Sequence, residues 1–205
     1  MLGSCVLCHC YEQSSQSLCS DCDRLLIQLS GLYQNQHQEF SSLWQRFHHL
    51  GVYSEPLSSL LIRGKYQKDL TALKVLAGLL AKSIRQKPFA SDAVIMPVPM
   101  SQSRFLERGF NQAAIIAREV TGNLCMSYAD DLVQHTGQAQ IQHQLGRRAR
   151  ERNMRHAFLV ANKIPKRICI VDDIYTTGAT MKAICRALRR AGCEYIEIWI
   201  IAKTL

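Results

Sequence analysis

Two adjacent carboxylates and a hydroxyl-rich turn are the clearest candidates for chemistry, in I-C-I-V-D-D-I-Y-T-T-G-A-T at residues 168–180. Asp172 and Asp173 follow an apolar run, and carboxylates accept hydrogen bonds from sugar hydroxyls. The residues after them include Thr176, Thr177, Gly178 and Thr180. Threonine hydroxyls, a glycine backbone and the N-terminus of a helix beginning near residue 179 together suit a phosphate. Carboxylates beside a phosphate-binding turn fit a ribose phosphate.

The competing interpretation of this stretch is purely structural. A threonine can cap a helix, and two aspartates before it can be solvated. Two charges about 4 Å apart repel by about 1 kcal/mol in water and about 4 kcal/mol at an effective dielectric near 20, so burial without a partner is costly. Successive strand residues point to opposite faces, so both carboxylates can serve one ligand only if the chain has left the strand there. The chain has neither G-x-x-x-x-G-K-[ST] nor G-x-G-x-x-G.

Paired cysteines near the N-terminus form a second candidate site. Cys5 and Cys8, then Cys19 and Cys22, give C-x2-C, ten residues, C-x2-C. Four thiolates so spaced predict a closed, structural zinc site, since a segment this short cannot bury enough surface to fold alone. A redox role for the C-x2-C pairs is the alternative. His9 and Cys10 are left out of the predicted ligand set, and the four later cysteines are interpreted as core residues.

Arginines in two places could bind phosphate groups. Arg104 and Arg108 follow the strand-ending Pro97-Val98-Pro99, and a guanidinium can bind a pyrophosphate through forked donors. The run R-R-A-R-E-R-N-M-R at 147–155 has five arginines against one glutamate. Solvated surface positions are the alternative for both sets. For the run, a loop that closes over a ligand and a contact to nucleic-acid phosphates also remain open.

Alternating strand and helix patterns position these residues. We predict helices at 69–85, 111–120 and 179–192, and strands at 93–98, 124–128, 157–160, 167–171 and 195–201. Residues 26–50 are predicted to be short helix and loop. Strand–helix–strand units of these lengths predict an α/β fold with a mostly parallel sheet flanked by helices. Ligands of such sheets bind at the carboxyl ends of the strands, where the aspartates lie.

Composition limits the classes of protein to consider. The chain has 205 residues, a formal net charge of +9 and a pI near 9.2, which favours polyanionic partners. The N-terminus lacks the pattern of a signal peptide, and no apolar run approaches the roughly 20 residues that span a bilayer. Nine cysteines in a reducing compartment favour metal binding or packing over disulfides. We therefore expect a soluble, cytoplasmic protein without a membrane span.

The stretch at 168–180 resembles the motif of the type I phosphoribosyltransferases that binds 5-phosphoribosyl 1-pyrophosphate (PRPP). P-V-P-M-S-Q-S-R-F-L-E-R-G-F-N-Q-A at 97–113 and the Gln- and Arg-rich segment at 138–158 narrow the resemblance to the ComF family, which includes the ComFC competence proteins and their GntX-type relatives. The resemblance implies a type I phosphoribosyltransferase-like domain after a zinc finger with four cysteine ligands. It covers nearly the whole chain.

The resemblance also implies roles for individual residues. Asp172 and Asp173 would hold the ribose hydroxyls and serve as catalytic residues, with Mg²⁺ on the pyrophosphate. The PRPP-binding set would be Asp172, Asp173, Tyr175, Thr176, Thr177, Gly178, Ala179 and Thr180. Pyrophosphate and hood-loop candidates are Met100, Ser101, Arg104, Arg108, Arg147 and Arg148. A mobile hood would span 135–153, where Gln134-His135-Thr136 and His143-Gln144-Leu145 depart from the family's usual Arg-x-Thr and Gly-Leu-Ser.

Three units and two main functions follow as expectations. The units are a zinc-binding module at 1–25, a connector at 26–51 and the phosphoribosyltransferase-like domain at 52–205. The first function is a PRPP-binding protein acting in uptake or use of single-stranded DNA, as in natural competence, and a pentosyl glycosyltransferase if it is active. The alternative is a non-catalytic PRPP sensor, or an adaptor that binds nucleic acid, a DNA-import helicase or other competence proteins.

Overall fold

A computed structural model describes residues 3–12, 17–34, 41–136 and 157–205. Most of the predicted hood at 135–153, with Arg147 and Arg148, lies outside these residues. The helices are α1 (Ser20–Gln34), α2 (Leu57–Tyr66), α3 (Leu70–Arg85), α4 (Gln102–Arg108), α5 (Gln112–Leu124) and α6 (Ala179–Arg190). The strands are β1 (Gly3–Ser4), β2 (Tyr11–Glu12), β3 (Arg46–Val52), β4 (Val94–Pro97), β5 (Ser127–Tyr128), β6 (Val133–His135), β7 (Phe158–Val160), β8 (Arg167–Tyr175) and β9 (Tyr195–Lys203).

A five-stranded parallel sheet forms the centre of the fold, in the order β3-β9-β8-β4-β5. This confirms the predicted α/β class with a mostly parallel sheet. Two short antiparallel ribbons, β1–β2 and β6–β7, lie outside the sheet. Because all five strands run the same way, their carboxyl ends meet at one edge. That edge receives the loops after β4 and β8.

Helices cover both faces of the sheet. Residues of α1, α2, α3 and α5 pack with Cys169, Val171 and Trp199 on one face. Residues of α6 pack with Ile168, Ile170 and Ile198 on the other. The central strand β8 is therefore apolar on both sides from Ile168 to Val171, as strands of a covered parallel sheet are.

Helices α3, α5 and α6 form where the sequence predicted helices, whereas α1, which has 15 residues, was expected only as short helix and loop. Asp69 caps α3 by accepting the backbone N–H of Ala72 at 3.0 Å, and the apolar stripe of the helix is buried. Helix α6 ends at Arg190, two residues before Gly192, where the sequence predicted the end of the helix. Gly192 adopts a left-handed φ of 96°. Both boundaries follow from local chemistry.

Residues 46–52 differ from the predicted helix and loop. They form β3, an edge strand of the main sheet that pairs with β9 from Arg46 to Val52. The segment R-F-H-H-L-G-V lacks the apolar pattern of a strand, because two of its buried positions are occupied by histidines. Burial, with the nearby Lys87 and Arg46 charges, lowers the pKa of His48 to about 4, so its ring stays neutral inside the sheet near pH 7.

The N-terminal cysteine segment packs on the main core. Cys5, Val6 and Leu26 are buried in the same apolar cluster as α3. Lys82 of α3 binds Asp23 of α1 at 2.9 Å, and Arg63 of α2 donates to the carbonyl oxygen of Val6. The predicted unit boundaries near residues 25 and 51 stay a prediction. Helix α1 runs across the first of these positions, and strand β3 runs across the second.

None of the helices that the structure describes is both long enough and apolar enough to cross a bilayer. The longest, α3, has 16 residues and carries Lys74, Lys82 and Arg85 on its exposed side. Its apolar stripe is taken up by the core of the sheet.

Candidate functional site

The two aspartates lie at the carboxyl end of β8, and the strand does not end before them. Pairing with β9 continues through Asp172 and Ile174 to Tyr175. Ile168 and Ile170 face α6, whereas Cys169 and Val171 face the α2, α3 and α5 layer. This alternation changes beyond Val171, because Ile174 packs against the α2–α5 layer and Tyr175 lies in the α6 cluster. The chain keeps its pairing with β9 at the acidic pair, but strand pairing alone does not put the two carboxylates on opposite faces, and their side chains interact with each other.

Asp173 is held by groups from three elements. Its Oδ2 accepts a hydrogen bond from Nε2 of Gln112 at 3.2 Å and lies 4.0 Å from Nζ of Lys65. Its Oδ1 accepts the backbone N–H of Ile174 at 2.9 Å. Only 9% of Asp173 is exposed. This carboxylate is fixed against the α2–α5 side before any ligand is present.

Asp172 is electrostatically strained in the ligand-free site. Burial raises the pKa of its carboxyl well above the ordinary value, and the negative charge of Asp173 raises it further. The Lys65 ammonium opposes both effects. A ligand that brings hydroxyl donors or a cation to Asp172 would relieve this cost.

The loop from Thr176 to Gly178 connects the strand to α6. Thr176 and Thr177 are exposed, and so are Ala179 and Thr180 at the start of the helix. The helix N-terminus leaves backbone N–H groups without intrahelical partners, next to these hydroxyls. Tyr175 is placed differently: its side chain is buried, and its ring packs edge-on against Phe47 with centroids 4.9 Å apart. Its role in PRPP binding stays a prediction, and its hydroxyl lies next to Gly178 of the loop.

Gly178 is required by both conformation and space. Its φ is 69°, and an added Cβ would lie 2.1 Å from the Tyr175 hydroxyl oxygen. We expect Gly178→Ala to destabilise the protein by about 2 to 4 kcal/mol, because strain at φ and overpacking add. It should also distort the loop that holds the candidate phosphate site. Denaturant unfolding measures the first effect, and ligand titration the second.

Gly109 provides the matched control. It has a similar left-handed φ of 83°, yet nothing lies within 4 Å of an added Cβ. Gly109→Ala should lower the free energy of unfolding by only about 1 kcal/mol, because the left-handed φ is its only cost. Equal losses in the two variants would contradict the packing role of Tyr175.

The loop after β4 lies beside the acidic pair. Asn111 fixes this loop to α5, because its Nδ2 donates to the carbonyl oxygen of Val98 at 2.9 Å while its Oδ1 caps Ala113. Met100 is half-buried, and Ser101 is buried at the start of α4. The backbone of this loop is thereby held at the sheet edge, where the sequence predicted pyrophosphate contacts.

The two candidate arginines of α4 face different neighbours. Burial lowers the pKa of His135 on the β6–β7 ribbon, and the charge of Arg104 lowers it further. The guanidinium carbon of Arg108 lies 5.9 Å from the ring centre of Tyr66, and Lys65 Nζ lies 5.8 Å from the same ring. Arg108 therefore lies near the groups that hold Asp173, and Arg104 near the base of the predicted hood.

A pocket of about 600 Å³ adjoins the same loop. Its wall includes Met100, Phe105, Phe110 and His135. It lies between α4, α5 and β6, so it opens next to the predicted pyrophosphate loop. The wall also includes charged and amide side chains, among them Arg118 and Asp130.

The four predicted zinc ligands come together. Each of Cys5, Cys8, Cys19 and Cys22 offers a sulfur atom, and these atoms lie within 4.8 Å of one another. Burial raises the pKa of the Cys5 thiol, but backbone N–H groups of Cys8 and Cys19 outweigh it and bring the pKa down to about 6. N–H donors around a thiolate and a tetrad of this size fit a tetrahedral metal site. Cys10 lies outside the tetrad, with its Sγ 3.1 Å from that of Cys8.

Sequence reasoning missed the residues that support the acidic pair. Asn111 and Gln112 belong to the F-N-Q segment, which carried the family resemblance without receiving a role. Lys65 lies in I-R-G-K-Y-Q-K, a segment to which no sequence pattern assigned a role, and the structure places it in the last turn of α2.

Comparisons with known proteins agree with this geometry. The model of the phosphoribosyl transferase domain matches residues 64–204, which is more than half of the chain. The match spans the loop after β4, the acidic pair and the turn into α6.

Curated relatives narrow the family. Competence protein F of Haemophilus influenzae is 32% identical over 78% of this chain and 73% of its own length. DNA utilization protein YhgH of Escherichia coli K12 is 29% identical over 99% of this chain and 91% of its own length. Competence protein ComFC of Streptococcus pneumoniae is 26% identical over 74% of this chain and 66% of its own length. The chain belongs to the ComF family of proteins with a phosphoribosyl transferase domain.

Proposed function

We propose that this protein binds PRPP and acts in the uptake or use of DNA. The observation that carries the proposal is the carboxyl edge of β8, where Asp172 and the Thr176–Gly178 turn adjoin the N-terminus of α6. Ribose hydroxyls would satisfy the Asp172 carboxyl, and the 5′-phosphate would bind the threonine hydroxyls and helix N–H groups. The pyrophosphate would lie toward the loop after β4 and the Arg108–Lys65 side.

Mg²⁺ fits this arrangement as a companion of the ligand. It prefers oxygen ligands from one or two carboxylates together with phosphate groups and water. Asp172 offers such a carboxylate, since its side chain is only half-buried. The ion would neutralise charge on the pyrophosphate, while Asp172 and Asp173 would stabilise positive charge at the ribose.

The link to DNA rests on the relatives and on charge. The names of two of them are Competence protein F and DNA utilization protein. Every charged side chain of α6 is basic: Lys182, Arg186, Arg189 and Arg190. Arg186 and Arg190 are exposed, while Arg189 donates to the carbonyl oxygen of Leu43. An exposed basic helix next to a PRPP site favours contact with nucleic-acid phosphates, which also supports the non-catalytic DNA-binding alternative.

The proposal assigns the N-terminal tetrad to structural zinc and the protein to the cytoplasm. Four thiolates form a closed set, which leaves no position for a substrate. Reduced thiols and a phosphorylated small-molecule ligand both suit the cytoplasm.

PRPP with Mg²⁺ should raise the melting temperature of the protein, because a ligand that binds only the folded state stabilises it. At 100 times the dissociation constant the gain is about 2.7 kcal/mol. Asp172→Asn combined with Asp173→Asn should remove this gain. Thermal unfolding with and without PRPP measures it.

Asp92→Asn is the matched control. Asp92 is exposed and pairs with Arg167 at the opposite end of β8. This variant should keep the full PRPP-dependent gain. An undiminished gain in the double variant would refute the assignment of ribose to the acidic pair, and release of pyrophosphate with an acceptor would distinguish an enzyme from a sensor.

A further inference from the structure

Helix α2 leaves an aromatic side chain in solvent at its C-terminal end. The buried side of the helix includes Leu61 and Gly64 and packs closely on α3, since a Cβ added to Gly64 would lie 2.4 Å from the Leu73 side chain. Residues four apart share one side of a helix. On the outward side Ile62 is exposed, and 67% of Tyr66 is exposed. The packing of α2 on α3 therefore turns the Tyr66 ring toward solvent.

Helix α4 adds further exposed apolar side chains next to this ring. The structure describes every residue of α4, and none of them is buried. Phe105 provides a second exposed ring, and 76% of Leu106 is exposed. The two helices meet at their C-terminal ends, because the guanidinium carbon of Arg108 lies 5.9 Å from the ring centre of Tyr66. We call the exposed sides of α2 and α4 the α2–α4 surface.

The charge of the α2–α4 surface is positive. Helices α2 and α4 and residues 67–69 carry five basic side chains against two acidic ones, Asp69 and Glu107. Arg63 binds Asp69 at 2.6 Å, so that pair is neutral. The remaining basic side chains are those of Lys65, Lys68, Arg104 and Arg108. The charge of Lys65 is partly offset by Asp173, 4.0 Å away, so the surface adjoins the acidic pair without a full positive charge there.

Exposed rings beside cations match one kind of partner. Two cations from different helices lie close to the Tyr66 ring, Lys65 Nζ at 5.8 Å and Arg108 at 5.9 Å from its centre. Single-stranded nucleic acid offers both a base that stacks on a ring and a phosphate that such cations attract. The bases of a duplex already stack on each other, and an acidic peptide has no base to stack. Only a single strand therefore uses the whole surface.

We propose that the α2–α4 surface binds single-stranded DNA, with a base stacked on Tyr66 and phosphates beside Arg104 and Arg108. Arg104 and Arg108 are four residues apart on α4, so they share one side of the helix. The inference rests on the DNA part of the proposed function. It adds the form of the DNA and a surface separate from the basic helix α6, and it does not require PRPP.

Fluorescence anisotropy with a labelled oligothymidylate and a labelled duplex tests the role of the ring. Tyr66→Ala should bind the single strand about 10-fold more weakly, since stacking contributes about 1 to 3 kcal/mol per base. Its affinity for the duplex should not change. Tyr66→Phe keeps the ring and should keep the affinity for the single strand. Tyr11→Ala is the matched control, because Tyr11 is an equally exposed tyrosine on β2, and this variant should bind like the wild type.

The salt dependence of the same binding tests the role of the cations. Arg104→Gln should reduce the slope of log binding constant against log salt concentration by about 0.7, the value for one phosphate contact of a single strand. Tyr66→Ala should leave that slope unchanged, because it removes no charge. Lys74→Gln removes one charge from the exposed side of α3 and should change neither slope nor affinity.

Several results would overturn the inference. Unchanged single-strand affinity in Tyr66→Ala would do so, as would an equal loss for the duplex or in Tyr11→Ala. Displacement of the oligothymidylate by polyglutamate as readily as by unlabelled oligothymidylate would show a surface for acidic chains instead. If the wild-type protein binds neither form of DNA, both this inference and the DNA part of the proposed function fail. The PRPP-dependent rise in melting temperature decides the PRPP part separately.

Discussion

Asp172→Asn is expected to lose PRPP affinity and to become more stable at the same time. The variant removes an acceptor for a ribose hydroxyl, and a hydrogen bond to a charged group contributes about 1.5 to 3 kcal/mol. Affinity should therefore fall about 10- to 100-fold. In the ligand-free protein the same change removes a carboxylate that burial and Asp173 destabilise. The free energy of unfolding should therefore rise, because the neutral amide avoids the cost of a charged carboxylate at this position.

The pH dependence of stability provides an independent check. Because the folded-state pKa of Asp172 is raised, the folded protein keeps a proton that the unfolded chain has released. This contribution to the free energy of unfolding is present at a pH below the ordinary aspartate value, about 4. It is lost as the pH rises through the raised pKa. Asp172→Asn should lack this decline.

Asp92→Asn again serves as the control for the loss of one negative charge. Its carboxylate is exposed at the other end of β8, so neither stability nor PRPP affinity should change by more than a few tenths of a kcal/mol. Denaturant unfolding from pH 4 to 8 and calorimetric titration measure all three proteins. A destabilised Asp172→Asn protein would contradict the account of a strained acidic pair.

Loss of the metal that we propose for the N-terminal cysteine tetrad should have the largest effect on stability. Cys5, Cys19 and Cys22 are buried in the cluster that also holds α3, so the tetrad supports part of the main core. Structural zinc contributes roughly 10 to 16 kcal/mol of apparent binding energy in small finger peptides. In this protein the cysteine segment also packs on the main core, so we expect part of it to stay folded without the metal. Cys5→Ser should lower the free energy of unfolding by at least about 3 kcal/mol.

Cys10→Ser is the control that tests the ligand set. Cys10 is exposed, and its sulfur lies near Cys8 but outside the tetrad. Metal analysis should give one zinc per chain for the wild type and for Cys10→Ser, and much less for Cys5→Ser. Full metal content in Cys5→Ser, or its loss in Cys10→Ser, would show that the ligands are assigned wrongly.

The acidic pair and the cysteine tetrad could be predicted because their chemistry is local in the sequence. A strand, two carboxylates, a threonine–glycine turn and a helix start lie within 168–180, and the cysteines lie within 18 consecutive positions from Cys5 to Cys22. Their relative positions are set by backbone rules that apply to short segments. The comparisons with relatives then confirmed the family that these motifs indicated.

The support of the site could not be predicted in the same way. Gln112 lies 61 residues from Asp173 along the chain, so only the packing of α5 on β8 reveals their contact. Strand β3 was missed because His48 and His49 break the apolar pattern while being buried. Tertiary burial overrode local propensity in this segment.

Glu197 is another buried polar residue whose burial the sequence pattern of β9 does not predict. It is fully buried, yet Tyr195, Trp199 and the backbone N–H of Ala90 all donate to its carboxylate. A strand pattern predicts which residues alternate but cannot predict donors from a distant loop. Such satisfied charges are found only when the structure is known.

Calorimetric titration of the wild-type protein with PRPP and Mg²⁺ tests the central claim most directly. We predict one PRPP bound per chain, with binding that depends on Mg²⁺ and is lost when Asp172 and Asp173 are both changed to asparagine. Absence of binding at millimolar PRPP, with zinc bound and the protein folded, would contradict the assignment of the β8 carboxyl end as a PRPP site.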